Sequence, residues 1–154
     1  MNKYMGIKLI EAKPMNLGDY NKFKGWEIPK DENPMREGYK VKYSDDYISW
    51  SPEEVFEKSY LKVVSNPKLK TDVSISQSMV DDFIKEVNIS TIGDKTTLVR
   101  VTLVNGFEII ESSACVDKRN YLESIGAEIC LEKIKDKIWF LLGFLLQTAV
   151  GGIK

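Results

Sequence analysis

Histidine is absent from this chain of 154 residues. That removes the side chain most used for general acid–base work and the commonest protein metal ligand. Chemistry would have to run on carboxylates, lysine or tyrosine, so the expectation is a binder rather than an enzyme, with no cofactor and no bound metal. Cysteine is nearly absent too, with only Cys115 and Cys130. Two thiols without histidine make a poor zinc set, which normally takes three or four Cys or His ligands. A secreted domain of this size often carries more cysteines, and Met1-Asn2-Lys3-Tyr4-Met5-Gly6 holds no apolar signal run. Both features point to a reducing cytoplasm.

A basic excess is missing as well. Lys plus Arg number 22 and Asp plus Glu 23, a net charge of -1. Duplex binding draws most of its affinity from phosphate neutralisation, so DNA is not an expected partner, although a local basic pocket remains open. No apolar run is long enough for a membrane. The longest, Ile138-Trp139-Phe140-Leu141-Leu142-Gly143-Phe144-Leu145-Leu146, is nine residues before Gln147 and Thr148 interrupt it, and a span needs about 20. A helix apolar all round must be covered on every side, and a small chain has little to cover it with. Burial between subunits is therefore expected, giving a homo-oligomer, dimer or higher, built on the C-terminal helix.

What is present is an ordinary globular mixture, 43% hydrophobic and 29% charged. The patterning predicts an α+β fold of small antiparallel sheets with a long C-terminal helix. A first, β-rich module occupies 1–65. Ile7 to Ala12 reads as a strand ended near Pro14, and Leu17 to Phe23 as a helical turn. Tyr39 to Tyr43 and Tyr47 to Trp50 form a hairpin around Ser44-Asp45-Asp46. Ser51-Pro52-Glu53-Glu54 reads as a helix start with Ser51 as cap, Pro52 at the first position and Glu54 closing a capping box. A polar break at Asn66 to Thr71 separates this module from a second at 73–154. There, Ser76 to Val87 reads as a helix, Asn88 to Ile92 as a strand, and Gly93-Asp94-Lys95 as a turn. Thr97 to Val104 and Phe107 to Ser113 form a hairpin around Asn105-Gly106, residues that both tolerate positive φ. Ala127, Cys130, Leu131, Ile134, Ile138, Leu141, Leu142 and Leu145 lie on one helical stripe.

The segment from Glu111 to Tyr121 joins a strand to that helix. It gathers hydroxyls (Ser112, Ser113), a carboxylate (Asp117), Lys118, Arg119, the Asn120 amide and the Tyr121 ring. A nucleotide calls for such a set: cations and backbone N–H groups for phosphate, amides and an aromatic face for the base. Arg119 is the leading phosphate contact, with Lys118 or Arg100 as weaker ones. Phe107, Asn120 and Tyr121 are the base or ribose contacts. Arg100 qualifies only if Val99 and Val101 turn to the core, leaving it on the open sheet face. The same residues also fit a capped helix start, with Asp117 as N-cap and the cations solvated, and Phe107 also fits a plain hairpin. Neither serine has a histidine to activate it and no Gly-x-Ser-x-Gly elbow exists. Asp45-Asp46 and Asp81-Asp82 read as solvated pairs, although a carboxylate and divalent-metal hydrolase is the reading they would serve.

Val101-Thr102-Leu103-Val104-Asn105-Gly106-Phe107, Ser112-Ser113-Ala114-Cys115-Val116-Asp117, Asn120-Tyr121, Gly126, and Ile129 through Lys137 into Ile138-Trp139 resemble a family of small tailed-phage and prophage proteins. The likeness covers roughly residues 74–147. The family includes Thoeris anti-defense protein 1, a sponge that sequesters a cyclic ADP-ribose isomer made by bacterial TIR-domain immunity enzymes. The resemblance implies a bacterial host cytoplasm, a cyclic nucleotide ligand held without degradation, cyclic oligonucleotides among the signals, and assembly through the C-terminal helices. The first module, at Gly25-Trp26, Ile28-Pro29, Gly38-Tyr39, Val41, Tyr43 and Tyr47-Ile48-Ser49-Trp50-Ser51-Pro52, resembles an N-terminal piece found ahead of various phage domains. Its aromatic residues, Trp26, Tyr39, Tyr43, Tyr47 and Trp50, support the alternative of an accessory protein-interaction module with no nucleotide ligand.

Overall fold

In the computed structural model, which describes residues 1–154, two three-stranded antiparallel sheets form, each in its own stretch of chain. The chain divides into two units, Met1–Lys62 with Thr148–Lys154, and Val63–Gln147. The α+β class with small antiparallel sheets and a long C-terminal helix is the class observed. No helix is long and apolar enough to cross a membrane.

In the first unit, β1 (Glu11–Pro14) leads into α1 (Leu17–Lys24), followed by β2 (Gly38–Lys42), β3 (Ile48–Pro52) and α2 (Glu53–Ser59), with strand order β1-β2-β3. The strand expected from Ile7 begins four residues later, at Glu11. Glu11 pairs with Lys42, the last residue of β2, so earlier residues have no strand to pair with; Leu9 instead donates its N–H to the Ala149 carbonyl. Pro14 falls on an edge strand, where a missing N–H costs least. Asn16 caps α1 by accepting from the Asp19 N–H at 2.8 Å, and Gly25 ends it at φ 72. Ser51 is not the cap of α2. It is engaged in the ladder opposite Tyr39, so Pro52 takes the cap position without a side-chain bond. The expected capping box gives way to Glu53 and Glu54 in the first turn, where carboxylates favour the helix dipole. Tyr39, Phe56 and Tyr60 stack in a column at ring separations of 4.1 and 4.8 Å.

In the second unit, α3 (Gln77–Asp82) is followed by β4 (Ile84–Ile92), β5 (Thr96–Leu103), β6 (Glu108–Ala114), a 3₁₀ turn (Lys118–Asn120) and α4 (Glu123–Gly151). The helix expected to reach Val87 stops at Asp82. Phe83, Ile84 and Val87 carry helical spacing, but the free edge of β5 captures residues 84–92 as a strand, with a bulge between Ile84 and Glu86 absorbing the change. Tertiary pairing overrides local periodicity here.

Both hairpins that sequence patterning predicts are closed by three-residue loops of one design. Tyr43 and Leu103 donate to the carbonyls of Tyr47 and Phe107 at 2.9 and 2.8 Å. The middle residues, Asp45 and Asn105, accept from the N–H two positions on. The third residues, Asp46 and Gly106, alone take positive φ, 63 and 86. Asn105 therefore does not use the left-handed freedom expected of it.

The core forms where α4 lies on β5. Thr97, Val99, Val101 and Leu103 face Ala127, Cys130, Ile134, Ile138 and Leu142, with Met79, Val80, Phe83 and Ile109 around them. Ion pairs Lys135–Asp81 and Lys137–Glu111 tie α4 to its neighbours, and the lysine beside each holds the carboxyls of Asp81 and Glu111 below their usual range. Away from the core, α4 leaves Ile125, Ile129 and Phe140 exposed. The closest approach is at Gly126, where an added Cβ would stand 2.1 Å from Thr97 Oγ1 and 2.6 Å from Thr97 Cβ. Thr97 is fully buried and has nowhere to retreat. Gly126→Ala gains about 1 kcal/mol in helix propensity but overpacks the contact, typically by about 1–3 kcal/mol. Its urea midpoint should fall, by an amount equivalent to about 1 kcal/mol. Adding Thr97→Ala should recover part of the loss; an unchanged or raised midpoint in Gly126→Ala would show that the contact is not tight.

Candidate functional site

Where β6 ends at Ala114, the chain is pinned beside the β4–β5 turn, with Cys115 donating to the Lys95 carbonyl at 3.0 Å. Asp117 then caps the 3₁₀ turn, accepting from the Arg119 N–H at 2.9 Å. Asn120 and Tyr121 donate back to the carbonyls of Asp117 and Lys118 at 2.9 and 3.1 Å. Asp117 is thus a cap, as one reading of the sequence expects, but of this single turn; α4 begins only at Glu123. Tyr121 anchors the segment to the sheet, its hydroxyl lying 2.7 Å from Thr91 Oγ1 and 3.0 Å from Thr97 Oγ1. Those bonds direct the phenol end toward protein, leaving the ring edge and face as what Tyr121 can offer a ligand.

Beside this turn is a shallow, open depression of about 470 Å³ lined by Asp94, Lys95, Val116, Asp117 and Lys118. The cations that line it, Lys95 and Lys118, and Arg119 next in the chain already have partners. Arg119 grips both oxygens of Asp117, with Nε at 3.0 and 3.1 Å and a guanidinium nitrogen at 2.5 Å. The Arg119 guanidinium and N–H hold the Asp117 carboxyl below its usual range, and Asp117 raises the guanidinium in turn. Lys118 lies 3.7 Å from Asp94, and Lys95 reaches the Val116 carbonyl at 3.5 Å. The depression is polar and close to charge-neutral. It suits an anion able to compete with tethered carboxylates, and it places no nucleophile beside a base.

The remaining candidates lie elsewhere in the unit. Ser113 sits half-buried in β6 opposite Thr97, near the turn. Arg100 does point to the open sheet face, because Val99 and Val101 are fully buried, but it sits mid-sheet with long contacts to Asn88 and Glu108 at 3.5 and 3.9 Å. Phe107 is exposed at the far hairpin end. The eight residues of β5 separate it from the turn, about 24 Å at about 3.4 Å per residue. One chain therefore brings Asp117, Lys118, Arg119, Asn120 and Tyr121 together, and does not bring Phe107 to them. Asp94 and Lys95 are the residues that sequence patterning passes over: it marks Gly93-Asp94-Lys95 as a turn, and antiparallel topology sets that turn beside the end of β6. Of the acid pairs, Asp46 meets Lys42 and Asp81 meets Lys135, and no three His, Cys, Asp or Glu side chains gather as a metal set.

Residues 75–150 match the phage protein (N4 Gp49/phage Sf6 gene 66) family. The match takes in α3, the second sheet, the 3₁₀ turn and nearly all of α4. No curated protein and no solved structure matches the chain.

The geometry separates cap from cation. The Arg119 side chain is 85% exposed, so Arg119→Ala should change unfolding free energy by less than about 0.5 kcal/mol. Asp117→Ala removes the cap bonds and should cost about 1 kcal/mol. Urea unfolding of the two variants checks this; the opposite ranking would make Arg119 the structural partner.

Proposed function

We propose that this protein binds and sequesters nucleotide immune signals, cyclic ADP-ribose isomers or cyclic oligonucleotides, and releases them unchanged. The observation that carries the reading is the turn at 115–121, where Lys118, Arg119, the Asn120 amide and the Tyr121 ring share one end of the sheet beside Lys95. Charge-assisted bonds from such cations to phosphate are worth about 1.5–3 kcal/mol each. The match of residues 75–150 to a phage protein family supports the setting, and the absence of histidine supports binding over turnover.

The reading includes assembly. A ligand touching both Arg119 and Phe107 has to bridge two chains, because one chain holds them at opposite ends of β5. Ile125, Ile129 and Phe140, exposed on α4 away from its core face, are the surface proposed to pair.

Ligand fate is the direct test. Incubation with a cyclic ADP-ribose isomer followed by heating should return the intact compound on chromatography; new products would replace the binder with an enzyme. Calorimetry should place Arg119→Ala about ten- to a hundredfold weaker than the unaltered protein, at 1.4 kcal/mol per decade. No heat from any member of a cyclic nucleotide panel would end the proposal. Light scattering at micromolar concentration should give a multiple of 17.6 kDa; a monodisperse monomer would remove the bridging site.

A further inference from the structure

The first unit contains a larger cavity than the candidate turn, about 670 Å³, and nothing in the nucleotide reading uses it. Its walls come from α1, the segment after it, and the start of β3. Tyr20, Trp26, Tyr47 and Trp50 line it. Tyr20 and Trp26 meet edge to face at 6.1 Å, while Trp26 and Tyr47 stay 58% and 63% exposed. The Trp50 indole N–H is already spent on the Met15 carbonyl at 2.7 Å, so that ring offers only apolar surface.

Two polar features make this more than an apolar groove. Asn21 lines the cavity, is 4% exposed, and its side-chain nitrogen has no hydrogen-bond partner. A buried amide donor left unpaired is costly, and a carbonyl acceptor from an occupant relieves it. Glu27 and Glu32 also line the cavity, and neither forms an ion pair within 4.0 Å. Lys24 is the one cation in the lining, so the wall carries two acids against one base, a net negative charge. Lys24 Nζ lies over the Trp26 ring at 5.6 Å from its centroid, so this ring already receives a cation.

Aromatic faces, unpaired carboxylates and a lone amide donor call for an occupant with a flat or compact cation and a nearby carbonyl. An arginine within a peptide supplies both. Its guanidinium stacks on indole and phenol rings and pairs with carboxylates, and its main-chain carbonyl accepts from an amide. A phosphate-bearing ligand meets the wrong charge here. We propose that the first unit docks an arginine-bearing peptide segment of a partner protein in the cavity between α1 and the start of β3, with Asn21 holding the peptide carbonyl and Glu27 and Glu32 the guanidinium.

The test titrates the full chain with acetyl-Ala-Ala-Arg-Ala-Ala-amide, with the same peptide carrying glutamate in place of arginine, and with AMP as a flat anionic control. Side-chain N–H signals of Asn21 and Trp26 are followed by NMR. The arginine peptide should shift both saturably, the glutamate peptide and AMP should not, and Glu27→Gln with Glu32→Gln should weaken the arginine peptide about tenfold. Glu27→Lys with Glu32→Lys, both substitutions on exposed positions, should reverse the preference between the peptides. No shift at millimolar arginine peptide overturns the proposal. Equal shifts from both peptides, or a shift from AMP alone, overturn it too, because the cavity would then read apolar surface or bases rather than charge. The residues followed lie outside the turn at 115–121, so failure here leaves the nucleotide reading standing, and failure there leaves this one.

Discussion

The second unit depends on how closely α4 can approach β5, and Gly126 against Thr97 sets that distance. With no side chain at 126, the helix settles onto the strand, and Cys130, Ile134, Ile138 and Leu142 follow at helical spacing onto Val99, Val101 and Leu103. Thr97 has a second task. Its hydroxyl lies 3.0 Å from the Tyr121 hydroxyl, so the residue that receives the helix also fixes the end of the 3₁₀ turn. Core packing and placement of the candidate turn therefore share one buried side chain, and neither can shift far without the other.

Elements with their own local signal were legible in the sequence. Asn105-Gly106 and Ser44-Asp45-Asp46 marked both hairpins because the loops are self-contained, closed by an Asn or Asp side chain onto nearby backbone. The core face of α4 was legible because its period is long and uninterrupted. Residues 83–87 were not, since their apolar spacing fits a helix and only the unpaired edge of β5, distant in sequence, makes them a strand. Ser51 misled for the same reason: a good helix cap by type, it is held in a ladder by Tyr39.

The candidate site divides along the same line. Asp117 to Tyr121 are neighbours in sequence and remain neighbours in space, so that cluster was readable. Phe107 was grouped with them by residue type, and the length of β5 keeps it apart from them within one chain. Asp94 and Lys95 join the turn through strand pairing, which residue types do not encode. The outward direction of Arg100 followed correctly from alternation, but alternation gives a face of the sheet and not a position along it.

The grip of Arg119 on Asp117 makes the carboxylate a built-in counter-ion, separated from its cation by one residue. Tethering on so short a span gives it an effective concentration of millimolar or above. Dilute free monoanions such as acetate exchange with it at a loss. An anion that brings several phosphate oxygens at once, and contacts Lys118 or Lys95 in the same event, recovers what the exchange costs. Under the proposed function the turn would act as a threshold device, silent toward ambient small anions and responsive to polyvalent ones, its discrimination set by the acid it carries as much as by its bases.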